Sequence, residues 1–64
     1  MRETEFWRRM TEQLGEDYAR VWADQVVLGE LGNRTVKEAI EAKVAFKTIW
    51  LGVWHFLELP AHDR

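Results

Sequence analysis

The sequence has no cysteine, no serine and only one proline among its 64 residues. Without cysteine, neither a disulfide nor a thiolate metal site can form, and a reducing cytoplasm suits such a chain. Without serine or cysteine, the hydroxyl nucleophiles reduce to threonine and Tyr18, and no threonine adjoins a histidine. A chain of this length also has difficulty enclosing a pocket of roughly 300 Å³ or more. We therefore expect no enzyme, no cofactor and no small-molecule substrate.

A strong charge of one sign and a long apolar run are also missing. The net charge is −2, and lysine and arginine are spread along the chain, so no basic run attracts nucleic acid or an anionic membrane non-specifically. The most apolar stretch, Val44 to Leu59, contains Lys47, His55 and Glu58 and is too short to cross a bilayer. Residues 1–5 are charged and lack the apolar core of a signal peptide. We expect a cytoplasmic protein with no membrane partner.

Helical periodicity dominates what is present, beginning with a first helix near the N-terminus. Thr4 is placed to cap this helix, and Phe6, Met10 and Leu14 recur at i, i+4 and i+8 on one face. Gly15 then suits the left-handed backbone that ends many helices. The pattern predicts a helix from about residue 4 to residue 14.

Two further helices follow, separated by a Gly32-Asn33 stop. The second is predicted from Glu16 to about Leu31, with Gly29 as a weak point inside it. Its apolar residues are Tyr18, Val21, Trp22, Val26 and Leu28. The third opens at Thr35-Val36-Lys37-Glu38, a capping box in which Thr35 and Glu38 can each accept a hydrogen bond from a backbone amide. Its inner residues are Val36, Ala39 and Ile40.

The last predicted helix, Phe46 to about Glu58, is apolar on more than one side. One stripe consists of Ile49, Val53 and Phe56, and a second consists of Phe46, Trp50, Trp54 and Leu57, with Leu51 apart from both. We favour a break from the third helix near Lys43–Ala45 over one continuous helix, because a helix from 36 to 58 would be long for so small a domain. Leu59-Pro60 ends the helix, and residues 61–64 are expected to fray. The expected fold is therefore all-α: one domain, 1–64, forming a compact bundle of three to four short helices.

Several short segments carry a resemblance to a known family. They are Thr4-Glu5-Phe6-Trp7, the run Val27-Leu28-Gly29-Glu30-Leu31-Gly32-Asn33-Arg34-Thr35-Val36, the Ile49-Trp50 pair and the closing Leu59-Pro60. These segments resemble a small actinobacterial family catalogued as domain of unknown function number 3046. The resemblance implies a short helical protein of the bacterial cytoplasm and implies no activity. Family members have a Gly-Val-Asp-Pro type of turn before the last helix, where this chain has Lys43-Val44-Ala45-Phe46.

The polar side chains offer little chemistry. His55 and His62 are the only candidate bases. A metal site could be imagined from His55, Glu58, His62 and Asp63, but Pro60 breaks the helical register before His62. We interpret these residues as a surface histidine and a solvated tail, and predict no metal site.

Nucleic-acid binding is the alternative function. Residues 17–43 have the rough layout of a helix-turn-helix. The candidate contacts are Arg8, Arg9, Arg34 and Lys37. However, Glu38 and Glu41 lie on the would-be reading helix, and Arg34 can also pair with an acid such as Glu30. We consider nucleic acid an unlikely partner, since the basic footprint is missing.

The aromatic last helix is the feature that exceeds ordinary structural need. A helix packed on one side of a bundle buries a single stripe, and two stripes cover much more. Either this helix is central and wrapped by the others, or part of it forms an exposed patch. The proposed patch is Phe46, Trp50, Leu51 and Trp54. Such patches mark interfaces, and tryptophan is frequent among binding hot spots. We therefore expect a protein–protein interaction module that binds an unknown protein partner or itself as a homo-oligomer.

Overall fold

The computed structural model describes all residues, 1–64, and contains four α-helices. They are α1 (Glu3–Leu14), α2 (Glu16–Gln25), α3 (Val36–Glu41) and α4 (Phe46–Phe56). A short antiparallel hairpin joins α2 to α3 and comprises β1 (Val27–Leu28), a 3-10 turn (Gly29–Leu31) and β2 (Arg34–Thr35). A second 3-10 turn, Ala61–Asp63, lies near the C-terminus. The all-α prediction is confirmed, with a two-stranded sheet of minimal size as its only addition.

A single residue, Gly15, separates α1 from α2. Its φ of 88° lies in the region that disfavours residues with a Cβ, and its amide donates to the Thr11 carbonyl over 2.8 Å. The predicted stop at Gly15 is thus confirmed. The predicted Thr4 cap is wrong, because Arg2 occupies the N-cap position without a side-chain cap and Thr4 lies inside the first turn.

The second helix ends earlier than the sequence indicates. The prediction that it reaches Leu31 is wrong, since Val26 has an extended backbone and Val27–Leu28 pair with Arg34–Thr35. The β-branched pair Val26-Val27 favours strand over helix, and Gly32 with φ 74° closes the hairpin. Residues 26–35 therefore separate α2 from α3. A helix-turn-helix has a turn of only three to four residues, so the expected helix-turn-helix layout at 17–43 does not form.

The capping box at the start of α3 is confirmed. The Glu38 amide donates to Thr35 Oγ1 over 3.1 Å, and the Thr35 amide donates to Glu38 Oε1 over 2.9 Å. The predicted break after α3 is also confirmed. There Lys43 takes φ 65°, and the Val44 amide donates to the Ala39 carbonyl over 3.1 Å. This is the Schellman arrangement, formed here without glycine.

The last helix lies at the centre of the fold. Its buried residues Ile49, Trp50 and Val53 join a core to which every other helix and the hairpin contribute. The remaining core residues are Phe6, Met10, Ala19, Trp22, Ala23, Leu28, Leu31, Val36 and Ala39. Ile49, Trp50 and Val53 of the last helix therefore belong to the core, whereas Phe56 of the predicted stripe is 53% exposed. No helix has the length and apolarity needed to cross a membrane.

The C-terminal segment folds back onto the body instead of fraying. Glu58 takes φ 55°, and the Leu59 amide donates to the Trp54 carbonyl over 3.1 Å, which ends α4 in a second Schellman arrangement. Residues 60–64, called the tail below, then run back along α4. The expected fraying of 61–64 is not what the structure shows, because several main-chain oxygens of the tail accept hydrogen bonds from the body.

Candidate interaction surfaces

The predicted aromatic patch on α4 is not an open surface. Trp50 is only 1% exposed, while Phe46, Leu51 and Trp54 are half-buried. The Phe6 ring packs against both Phe46 and Trp50, with centroid distances of 5.5 and 6.4 Å. The prediction that these four side chains form one exposed patch is therefore wrong. The physical reason is that Trp50 lies in the core and that Phe46 and Trp54 pack against it.

Four side-chain N–H groups hold the tail, and we call them the donor row. Trp50 Nε1 donates to the Asp63 carbonyl and Trp54 Nε1 to the Pro60 carbonyl, each over 2.9 Å. Lys47 Nζ and Arg9 Nη1 both donate to the Arg64 main-chain oxygen, over 2.8 and 2.9 Å. The Arg64 guanidinium lies 5.6 Å from the Trp54 ring centroid. The donor row consists of Arg9, Lys47, Trp50 and Trp54.

A groove of about 510 Å³ opens between α1, α2 and α3. Its apolar lining is Trp7, Val21, Ala23 and Ile40, and its charged rim is Glu3, Arg20, Asp24, Lys37 and Glu41, with Gln25 completing it. Val21 is 54% exposed, and Trp7 and Ile40 are half-buried. The sequence predicts that so short a chain does not enclose a pocket of this size. The structure has a groove of this size, but the groove is open to solvent. Two other cavities measure about 220 and 210 Å³.

Two contacts organise the wall of the groove. The Arg20 guanidinium lies 3.8 Å from the Trp7 ring centroid, close enough for a cation–π interaction. Lys37 Nζ lies 3.5 Å from an Asp24 carboxylate oxygen, which links α3 to α2. The groove is thus an apolar floor with charges of both signs around it.

The residues of this groove were not singled out as a site by the sequence. The sequence indicates Trp7 only as part of the family resemblance, and Val21 only as one of the apolar residues of the second helix. In the structure the inner face of α2 consists of Ala19, Trp22 and Ala23, which leaves Tyr18 and Val21 exposed. The surplus of apolar residues on α2 was a detectable signal, because one narrow stripe cannot bury them all.

The four candidate nucleic-acid residues do not converge on one surface. Arg8 bridges Glu5 and Glu12 at 2.6 and 2.9 Å, and Arg9 binds Glu5 at 2.8 Å. Lys37 faces Asp24 across the groove, and Arg34 is exposed on the hairpin. Most of these cations therefore already face a carboxylate of the chain.

The cluster on α1 shifts the pKa of its members. The hydrogen bond from Arg8, followed by that from Arg9, lowers the pKa of Glu5 from 4.5 to about 2. The same hydrogen bond raises the pKa of Arg8. Because Arg9 also binds the tail, this surface cluster connects Glu5 to the position of Arg64.

The two histidines occupy unrelated positions. His55 Nδ1 lies 2.8 Å from a carboxylate oxygen of Glu30, so Glu30 pairs with His55 and not with Arg34 as the sequence allowed. His62 lies on the exposed side of the tail, 3.7 Å from Asp63. No three histidine or acidic side chains are grouped as they would need to be to hold a metal ion.

Comparison with known proteins adds a family and nothing about activity. No curated protein matches the chain, and no solved structure does. A family model with the description "Protein of unknown function (DUF3046)" matches residues 1–62, and the chain therefore belongs to that family.

Proposed function

We propose that this chain is a cytoplasmic protein–protein interaction module without catalytic chemistry, and that it pairs with a second copy through the groove. The observation that carries the proposal is the exposed apolar floor of the groove, with Val21 half-exposed beside Trp7 and Ile40. Exposed apolar patches mark interfaces on soluble proteins, and such interfaces have an apolar centre and a polar rim. The sequence predicts this interface on α4, and the proposal places it on α1, α2 and α3 instead.

A second copy fits the rim because the rim carries both signs of charge. Arg20 and Lys37 stand among Glu3, Asp24 and Glu41. In a two-fold arrangement each patch faces itself, so a mixed rim can place cations of one copy opposite acids of the other. The net charge of −2 is small, and general repulsion between copies is correspondingly weak.

Pairing would also support a fold of this size. The core of a chain shorter than about 70 residues rarely supplies more than about 3–5 kcal/mol of stability, and oligomerisation is one of the usual remedies. Disulfides are excluded by composition. Covering the groove would remove Trp7, Val21 and Ile40 from water and add to the stability of each copy.

Two valine substitutions test the proposal as a matched pair. Val21 lines the groove and Val27 does not, yet they are 54% and 53% exposed. We expect light scattering on a sizing column to give twice the 7.6 kDa of one chain at high concentration. Val21→Glu should weaken pairing by at least about tenfold, a factor that 1.4 kcal/mol is enough to produce. Val27→Glu should leave pairing unchanged.

The opposite results would reject the proposal. A wild-type chain that remains monomeric up to about 1 mM, the weakest affinity of interest here, would remove self-pairing. Equal effects of the two substitutions would place the interface outside the groove. Circular dichroism of both variants checks that neither has unfolded.

A further inference from the structure

The hydrogen bonds between the donor row and the tail follow a regular order. Lys47, Trp50 and Trp54 are spaced at i, i+3 and i+7, which places them on one face of α4. Their acceptors run in the opposite direction, from Arg64 through Asp63 to Pro60. Every hydrogen bond that the row makes to the tail ends on a main-chain oxygen.

The core does not include the tail. Residues of α1, α2, the hairpin, α3 and α4 form the buried cluster, and no residue from 60–64 belongs to it or packs against it as a partly buried apolar side chain. The turn at Glu58 already ends α4 before the tail begins. The tail is therefore attached by polar contacts and by the contact of Arg64 with Trp54.

We propose that the donor row is a peptide-binding site, and that the tail is its resident ligand. The ligand class is a short peptide segment in a single turn that presents its main-chain oxygens to α4 and an arginine to Trp54. The occupant is the Pro60–Arg64 segment, of the same chain or of a second copy when its own is displaced. The site accepts the same segment from either source, because exchanging one tail for another restores the same hydrogen bonds.

This site is separate from the groove. The groove is lined by α1, α2 and α3, whereas three of the four donors lie on α4 and only Arg9 comes from α1. The two surfaces can therefore fail independently: loss of pairing in Val21→Glu says nothing about the tail.

Amide hydrogen exchange of the full chain tests the attachment. The Asp63 and Arg64 amides donate within the tail turn, over 3.0 and 3.1 Å, so their exchange rates report release of the tail. Lys47 is exposed, and Lys47→Ala should accelerate that exchange by about tenfold, since a charged hydrogen bond contributes more than a neutral one. Lys37→Ala, a lysine on the groove, is the matched control and should change nothing in the tail.

A synthetic peptide of residues 58–64 tests the site in trans. Titrated to several times the effective concentration of the linked tail, roughly millimolar for a short linker, it should release the labelled tail of the full chain. The indole N–H signals of Trp50 and Trp54 should meanwhile keep their hydrogen-bonded positions, because the peptide replaces the tail. In Lys47→Ala the peptide should bind several-fold more weakly.

Three results would overturn the inference. Equal tail exchange in Lys47→Ala and Lys37→Ala would show that the row does not hold the tail. Release of the tail in Lys47→Ala without any effect of the peptide would show that the row holds the tail but does not bind a separate peptide. Peptide-induced shifts at Trp7, with Trp54 unmoved and the tail still bound, would place peptide binding in the groove.

Discussion

The donor row and the groove both contain tryptophan. The chain's own tail occupies the donor row, whereas no segment of the chain covers the groove. At the donor row, Trp50 and Trp54 give their indole N–H groups to main-chain oxygens of the tail. At the groove, Trp7 is covered on one face by the Arg20 guanidinium and faces an open apolar floor. Aromatic content alone therefore does not identify an interface in this fold.

The difference shows what an aromatic side chain needs in order not to form a binding surface. A buried indole must have both its ring surface covered and its N–H hydrogen-bonded. For the tryptophans of α4, the core covers the ring surface and the tail accepts the N–H hydrogen bonds. The groove lacks a segment of the chain to cover it, which makes it the surface where a second molecule gains most by binding.

The largest expected effect comes from removing one tryptophan ring from the donor row or one from the groove. Trp50→Ala should cost about 3–5 kcal/mol, as for other buried aromatic residues cut to alanine. That equals the stability expected of so small a core, so the variant should be largely unfolded. Trp7→Ala, at a half-buried position, should stay folded and lose pairing instead. Urea denaturation followed by circular dichroism measures both. A folded Trp50→Ala chain with wild-type stability would contradict the assignment of α4 to the core.

A smaller effect separates the two Schellman turns that flank α4. Lys43 and Glu58 have φ values of 65° and 55°, a region where glycine is favoured. Lys43→Gly should stabilise the fold by about 0.5–1 kcal/mol, since the strain it relieves exceeds the entropy it adds to the unfolded chain. Glu58→Gly should stabilise the fold by less than Lys43→Gly does. The reason is that the tail opens locally at a lower free energy than global unfolding.

The control for this comparison is Ala42→Gly. Ala42 has a φ of −81°, so glycine relieves nothing there and should destabilise by up to about 1 kcal/mol. Thermal unfolding of the three variants gives the order. An equal gain at Glu58 and Lys43 would show that the tail turn unfolds together with the core.

The smallest expected effect is a pH dependence confined to the tail side. The pKa of Glu5 is lowered to about 2 by Arg8 and Arg9, against an ordinary 4.5. The unfolded chain therefore binds this proton more readily. The stabilisation by Glu5 is fully present above pH 4.5 and is lost as the pH falls towards 2. Because Arg9 also binds Arg64, the protection of the tail amides relative to their intrinsic exchange at each pH should fall over the same range, while that of groove residues should not.

Substitution of the carboxylate isolates this effect. Glu5→Gln should remove that part of the acid dependence, and Glu41→Gln, on the groove rim, should not. Since the Glu5 cluster is exposed, 0.5 M salt should reduce the effect. An unchanged acid profile in Glu5→Gln would disconnect Glu5 from the tail.

Local signals in the sequence predicted the local structure well. The capping box at Thr35 and Glu38 and the stop at Gly15 are short patterns whose partners lie within a few residues. The break before α4 was predicted from helix length, although no glycine or proline marks it. Lys43 takes the left-handed conformation there because packing of α4 against α3 compensates the local cost.

Apart from the Thr4 cap, which is a local miss, the wrong predictions depend on distant contacts. The hairpin was assigned to α2 because Val26 to Leu28 fits a helical stripe as well as a strand, and its pairing with Arg34–Thr35 decides between them. The tail was expected to fray because its binding partners, Arg9, Lys47, Trp50 and Trp54, lie elsewhere in the chain. The sequence indicates the two apolar stripes of α4, but only the fold shows that Phe46 and Trp50 of the second stripe pack against Phe6 of α1.

A single spectroscopic series tests the central contrast most directly. The indole N–H signals of Trp7, Trp50 and Trp54 are resolved in a nitrogen–proton correlation spectrum of the labelled chain, and the spectrum is recorded over a dilution series. We predict that Trp7 shifts with concentration, since pairing covers the groove, while Trp50 and Trp54 stay constant under the tail. Concentration-dependent shifts at Trp54 with Trp7 unmoved would contradict the account and return the interface to α4.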